Sequence, residues 1–207
     1  MSNVKPKTIF VTVGTTLFDD LIECVSHVHF LTSIYEIGFR RIVIQFGKGI
    51  VPSFVNKQSS WPSHDDVIQG IFSLPMDRDK AIEWELYRFK PSLEQDMKDA
   101  HLILSHAGAG SIMEGLSKCR EANTDLSQDQ RCMKKLVCVI NDKLMHNHQT
   151  ELAEALEKRG YLFVLSSPQQ LLCDDTMKRI DCFKPIPFNG GDKWAFPRLL
   201  DTLRVVK

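Results

Sequence analysis

Long apolar runs are missing from this chain of 207 residues. A membrane helix needs roughly 20 consecutive apolar residues, and nothing approaches that. The longest early run, Thr8 to Val13, is too short for the apolar core of a signal peptide, and Gly14 interrupts it. Net charge is missing too: 26 basic residues balance 26 acidic ones, so no global field favours nucleic acid. No CxxC pair occurs among Cys24, Cys119, Cys132, Cys138, Cys173 and Cys182, and no spacing resembles a metal site. Reduced thiols in a cytosolic protein are expected, although an even count leaves disulfides formally open. With only 11 Gly and 9 Pro, no internal repeat and no low-complexity stretch, the 43% hydrophobic content describes one ordinary globular domain or two small ones.

What is present is a β/α alternation. Thr8–Val13 is a β-branched run ending at Gly14. Phe18–Ile34 carries Phe18, Leu21, Ile22, Val25 and Val28 at helical spacing, Gly38 stops it, and Arg41–Phe46 is a second strand. Such a β-α-β unit implies a parallel sheet. Further strands are expected at Val67–Leu74, Ile82–Phe89, Leu102–Ser105, Leu136–Ile140 and Tyr161–Leu165. Helices are expected at Ser92–Asp99, Ser111–Lys118 and Asn147–Lys158, with a charged surface loop over Cys119–Lys134. The fold class is therefore α/β, a Rossmann-like single domain with a partly mixed sheet. Residues 1–187 form the body. Residues 188–207 form a flexible joint, Phe188–Gly191, and a C-terminal amphipathic helix with Phe196, Leu199, Leu200, Leu203 and Val206 on one face. That stripe either docks on a partner or packs back on its own domain.

Three loops follow expected parallel strands, and so cluster along the sheet edge where α/β folds bind ligands. In Gly14-Thr15-Thr16 the glycine permits close approach and the hydroxyls can donate to phosphate; a plain turn would look the same. In Ser105-His106-Ala107-Gly108-Ala109-Gly110-Ser111 a buried strand runs through small residues into a helix start, placing backbone N–H groups where a diphosphate could sit. Glu114 either completes a capping box with Ser111 or accepts the hydroxyls of a ribose. The third loop, Asn141 to Gln149, is densely polar ahead of a helix. His146-x-His148 lacks a third ligand at a standard spacing, and the Asp77-Arg78-Asp79 pattern sits in a polar turn, so no metal site is expected.

Taken together, Val11-Thr12-Val13-Gly14-Thr15-Thr16, Ile44-Gln45-Phe46-Gly47, the Ser105–Ser111 block and Asn141-Asp142-x-Leu144-Met145-x-Asn147-His148-Gln149 resemble one family. It is the cytosolic catalytic subunit of the eukaryotic N-acetylglucosaminyltransferase that adds the second sugar to dolichol-linked oligosaccharide. That family is similar to the C-terminal, donor-binding half of two-domain GT-B glycosyltransferases. The resemblance implies that Gly108, Ala109, Gly110 and Ser111 face the diphosphate of UDP-N-acetylglucosamine and that Glu114 holds the ribose. His148 and Gln149 would contact the N-acetylglucosamine, with Asn147 among the donor-binding residues, Phe89 beside uracil, and Gly14, Thr15 and Thr16 at the border of the cleft. It further implies inverting transfer with helix amides in place of a metal, no cofactor beyond the donor substrate, and His106 or His148 as candidate general base. His106 could instead only orient its loop, and the base could come from another chain.

A complete GT-B enzyme needs two such lobes and 207 residues supply one. The resemblance therefore implies a membrane-anchored acceptor-binding partner, docked through the C-terminal helix, at the cytosolic face of the endoplasmic reticulum. The competing readings are a non-catalytic UDP-sugar-binding regulatory subunit, a sugar-nucleotide epimerase on the same fold, and a plain interaction module.

Overall fold

Alternating burial on both sides of the strands builds the molecule. A computed structural model describes residues 6–55, 66–74, 77–123, 133–141 and 148–190. In chain order the elements are β1 (Thr8–Thr12), α1 (Asp19–Ser26), α2 (Val28–Glu36), β2 (Arg41–Gln45), β3 (Ile68–Leu74), β4 (Asp77–Tyr87), α3 (Glu94–Asp99), β5 (Leu102–Ser105), α4 (Ala109–Asn123), β6 (Lys135–Val139), α5 (His148–Glu157) and β7 (Phe163–Leu165). A 3-10 turn (Pro168–Leu172) and α6 (Asp174–Cys182) follow. The seven strands form one sheet in the order β3-β4-β2-β1-β5-β6-β7. Every pairing is parallel except β3 with β4. The sheet is therefore partly mixed, as its sequence implies.

Successive strand residues serve opposite layers. Ile9, Val11, Ile42, Ile44, Leu102, Leu104, Val137 and Val139 pack under α1, α2 and α6. Phe10, Val43, Ile103, Leu136 and Cys138 pack under α3, α4 and α5. Both faces being apolar explains why the central strands read as continuous apolar runs. Of the six cysteines, the five described are free, and Cys24, Cys119 and Cys138 are buried. Burial pushes the Cys24 thiol up to about 11 and the Cys119 thiol up to about 12. Among the described residues no helix is long and apolar enough to cross a membrane.

Four expectations need correction. The single helix over Phe18–Ile34 is two, because His27 is extended (φ −71°, ψ 138°) and its Nδ1 accepts the amide of His29, starting α2 afresh. Asp77-Arg78-Asp79 belongs to β4 rather than to a connecting turn. The loop expected at Cys119 begins later: α4 runs on to Asn123, with Leu116 and Cys119 held in the core. The Asn123 side chain then pairs with both backbone groups of Lys134, at 2.8 and 2.9 Å, drawing the ends of that segment together. Finally, α6 was not anticipated; Thr176, Met177 and Ile180 bury its inner face. The C-terminal helix expected over Phe196–Val206 lies outside the described residues, whereas Phe188 packs edge-on against Tyr161 at 5.1 Å.

One edge of the sheet is closed by cations. Lys134 donates to the carbonyls of Met97 and Lys98 at the end of α3, and Lys135 to those of Ile180 and Asp181 at the end of α6. Lys7 donates to Ile37 O after α2. Orphan carbonyls and the negative ends of three helix dipoles are satisfied there. The opposite edge, at the C-terminal ends of the parallel strands, is left for the loops.

Candidate functional site

Strands β1, β5 and β6 lie side by side, so the loops that leave their C-terminal ends are neighbours. The first loop turns at Gly14, whose φ of +60° suits glycine. Thr16 gives both its amide and its hydroxyl hydrogen to Val13 O, at 3.2 and 2.8 Å. Its hydroxyl is thus committed as a donor, and the exposed Thr15 is the one placed to donate outward.

The second loop is sharper. His106 N bonds Thr12 O, and then Ala107 adopts φ +62°, a left-handed conformation costly for a residue with a Cβ. That turn redirects the chain into α4, whose first helical bond is Ile112 N to Gly108 O at 2.9 Å. The amides of Ala109, Gly110 and Ser111 precede that bond and have no carbonyl one turn back. Ala109 and Gly110 are exposed, while Ser111 and Glu114 are half-buried one turn apart. The Ser105 hydroxyl is buried at the strand end and has no hydrogen-bond partner among the described residues.

His106 is the wedge between these loops. It is 6% exposed, and its Nδ1 lies 3.4 Å from Thr12 O. A Cβ at Gly14 would come within 2.6 Å of its ring, and a Cβ at Gly108 would also collide with it. Both glycines are therefore required by one imidazole. Burial holds His106 below the usual histidine range, opposed by its bond to the Thr12 carbonyl. Burial, with Lys134 and Lys7 nearby, does the same to His101, whose Nδ1 accepts the Thr8 amide.

The sign of the resulting pH dependence follows directly. A histidine whose pKa is lower in the folded state contributes fully above its unfolded value, about 6.5. That contribution is lost as pH falls from there through the folded pKa. Urea unfolding at pH 7.5 and 5.5 should show the wild type losing stability on acidification, and His106→Asn losing less. Equal losses in the two proteins would contradict the assignment.

The third loop starts where Ile140 N bonds Leu165 O. The buried Asn141 donates its Nδ2 to Leu17 O at 3.1 Å, tying this loop to the first. Asn147 lies outside the described residues, and His148 and Gln149 supply the first residues of α5. Phe89 follows β4, two strands from β1. The structure thus brings Gly14, Thr15, Thr16, His106, Gly108, Ala109, Gly110 and Ser111 to one edge. Among the described residues no group of three His, Cys, Asp or Glu could hold a metal ion.

Two further residues shape this edge: Gln45, which lies in a motif block but had no expected role, and Arg88, which lies in none. Gln45, at the end of β2, hydrogen-bonds both backbone groups of Gly14. Arg88, after β4, donates to the carbonyls of Gly47 and Gly49 and lies over the Phe46 ring. The signals for Gln45 were its place in the Ile44-Gln45-Phe46-Gly47 block and a polar residue ending an apolar strand.

Comparison with known proteins gives this edge a lineage. Residues 8–121 match the glycosyltransferase family 28 C-terminal domain, a span that includes β1, β5 and the start of α4. The chain is 41% identical over 170 residues to the UDP-N-acetylglucosamine transferase subunit ALG13 of Homo sapiens, over 79% of this chain. It spans only 12% of that protein's length. It is 31% identical over 169 residues to the Cryptococcus neoformans subunit of the same name, covering 78% of each. With the Saccharomyces cerevisiae subunit it shares 26% over 216 residues, covering 97% of each.

Among solved structures, the solution structure of ALG13 superposes with a TM-score of 0.58 at 26% identity, over 95% of this chain and 96% of that one. MurG of Acinetobacter baumannii gives 0.54 at 15% identity, over all of this chain and 51% of that one, a likeness of fold alone. The α/β architecture is that of a GT-B C-terminal domain, and the chain belongs to the glycosyltransferase family 28 C-terminal domain family, among the UDP-N-acetylglucosamine transferase subunits.

Proposed function

We propose that this chain is the donor-binding, catalytic subunit of a transferase that moves N-acetylglucosamine from UDP-N-acetylglucosamine to dolichol-diphosphate-N-acetylglucosamine. The bond formed is β-1,4, with inversion at the anomeric carbon, and this is the second step of lipid-linked oligosaccharide assembly. The observation that carries the reading is the open start of α4: three amides with no helical acceptor, on exposed or half-exposed residues, at the ligand-binding edge of the sheet.

The chemistry follows from that geometry. As the acceptor hydroxyl attacks, negative charge grows on the departing UDP. The amides of Ala109, Gly110 and Ser111 and the positive end of α4 stabilise it. One such fixed donor is typically worth about 3–4 kcal/mol in the transition state. Glu114 accepts the ribose hydroxyls, and His148 and Gln149 hold the sugar, with Asn147 among the donor-binding residues. The donor substrate is the only small molecule required, with no cofactor. His106, neutral and wedged between two glycines, spaces the loops. The proton acceptor is then His148 or a group of the acceptor-binding subunit.

That second subunit is membrane-anchored, and residues 196–207 dock on it, holding this chain at the cytosolic face of the endoplasmic reticulum. Support comes from the relatives, which are named as subunits of a UDP-N-acetylglucosamine transferase.

Transfer onto a dolichol-diphosphate-N-acetylglucosamine acceptor, with and without membranes carrying the partner, tests the whole reading. Product is expected only when both are present. A protein that binds UDP yet never yields product would instead be a regulatory subunit. Removing Phe196–Lys207 should shift the protein from the membrane pellet to the supernatant; continued co-sedimentation would reject the docking assignment.

A further inference from the structure

The Gln45 side chain is 1% exposed, and its amide is saturated. Oε1 accepts the Thr12 hydroxyl at 2.7 Å and the Gly14 amide at 2.9 Å. Nε2 donates to Gly14 O at 2.8 Å and to Arg88 O at 2.7 Å. Two carbonyls on one side and two donors on the other allow a single amide orientation. None of these four bonds belongs to the sheet ladder, and three of them go to the backbone of loops at the site.

Their reach is what matters. Gly14 abuts the His106 ring, which abuts Gly108, the residue before the free amides of α4. Arg88 precedes Phe89, and its own Nη1 clasps Gly47 and Gly49. The Gln45 amide therefore joins the loops after β1 and β4, Arg88 ties the latter to the loop after β2, and His106 extends that frame to the loop after β5. Phe89 stands at one end of this chain of contacts and the α4 amides at the other.

We infer that Gln45 is a positioning residue: it sets the spacing between the base-side loop at Arg88–Phe89 and the phosphate-side loop at Gly108–Ser111, so that a nucleoside diphosphate meets both at once. This rests on the transferase reading above. Gln45 touches no ligand itself; it acts through Gly14 and Arg88. A misplacement of about 1 Å is worth up to about a hundredfold in a preorganised site, so loosening this frame weakens a ligand that must engage both ends.

The test uses the full chain and two variants. Gln45→Met keeps the side-chain volume and removes all four bonds. Thr12→Val is a milder, isosteric change that removes one bond from Oε1 and the second acceptor of the Gly14 amide, at 3.1 Å. Calorimetry well below the unfolding temperature compares UDP with uridine, and transfer assays with partner membranes give KM and kcat. The expected result for Gln45→Met is a Kd for UDP raised on the order of tenfold or more, with uridine affected much less. KM for the donor rises in step, and kcat falls as well, because the displaced α4 amides also stabilise the departing UDP. Thr12→Val shows the same pattern, smaller. Should Gln45→Met not fold, the Thr12→Val pattern decides alone. Unchanged UDP affinity in the folded variants, or equal losses for UDP and uridine, overturns the inference and leaves the transferase reading intact. A wild type that binds no UDP overturns both.

Discussion

Gly110→Asp should abolish sugar transfer while leaving a folded protein that is as stable as the wild type or more so. Nothing lies within 4 Å of a Cβ built at Gly110, so the side chain enters open space. An acidic residue in the first turn of α4 complements the helix dipole and contributes roughly 0.3–1 kcal/mol to the fold. The same charge is ruinous for the proposed ligand. Two like charges about 4 Å apart repel by roughly 4 kcal/mol at the screening typical near a protein surface, on the order of a thousandfold in rate or affinity. Gly110→Asn, with the same size and no charge, should keep most of the activity. Thermal unfolding alongside transfer assays separates the two effects. Normal turnover by the aspartate variant would show that the α4 start does not face the diphosphate.

The sequence made the scaffold of this site legible for a physical reason. Ile42-Val43-Ile44 and Leu102-Ile103-Leu104 are buried on both faces, so they stand out as uninterrupted apolar runs. The small residues that follow each strand announce a turn without ambiguity. Ile112, Leu116 and Cys119 mark the inner stripe of α4, though its last turn was lost among charged residues that face solvent.

What stayed hidden depends on interactions that no periodicity records. The break at His27 falls between Val25 and Val28, where apolar spacing continues undisturbed, so pattern alone joins two helices into one. The left-handed residue of the second loop is Ala107, while the glycine beside it attracts attention for a different reason: Gly108 is needed for His106. Gln45 is ordinary in composition and decisive in position. Its partners Gly14 and Arg88 are 31 and 43 residues away along the chain. Tertiary hydrogen bonds of this kind leave no local signature. The α6 helix escaped because only Thr176, Met177 and Ile180 of its nine residues are buried, too few for an apolar stripe to rise above the charges.

Gly108→Ala should be the most damaging of the conservative changes, and for the opposite reason to Gly110→Asp. The added methyl would lie against the His106 ring, 3.0 Å from Cε1 and nearer still to Nε2. In an open site the ring would rotate away. Here the Gly14 backbone lies so near the other side of the ring that a Cβ added there would itself meet Cε1 at 2.6 Å, and His106 is only 6% exposed, so little room is left to move into. Overpacking of this kind costs about 1–3 kcal/mol, which lowers the unfolding temperature of a domain this size by several degrees, roughly 2–4 °C per kcal/mol. Relief requires the two loops to part, and parting them moves the α4 amides from the diphosphate. Stability and donor affinity should therefore fall together. Truncating the wedge as well, in Gly108→Ala/His106→Ala, should restore much of the stability lost to the collision while leaving donor affinity low, because the spacer itself is gone. If Gly108→Ala alone unfolds at the wild-type temperature and binds UDP normally, the imidazole is not clamped between these glycines and does not set the distance between the loops.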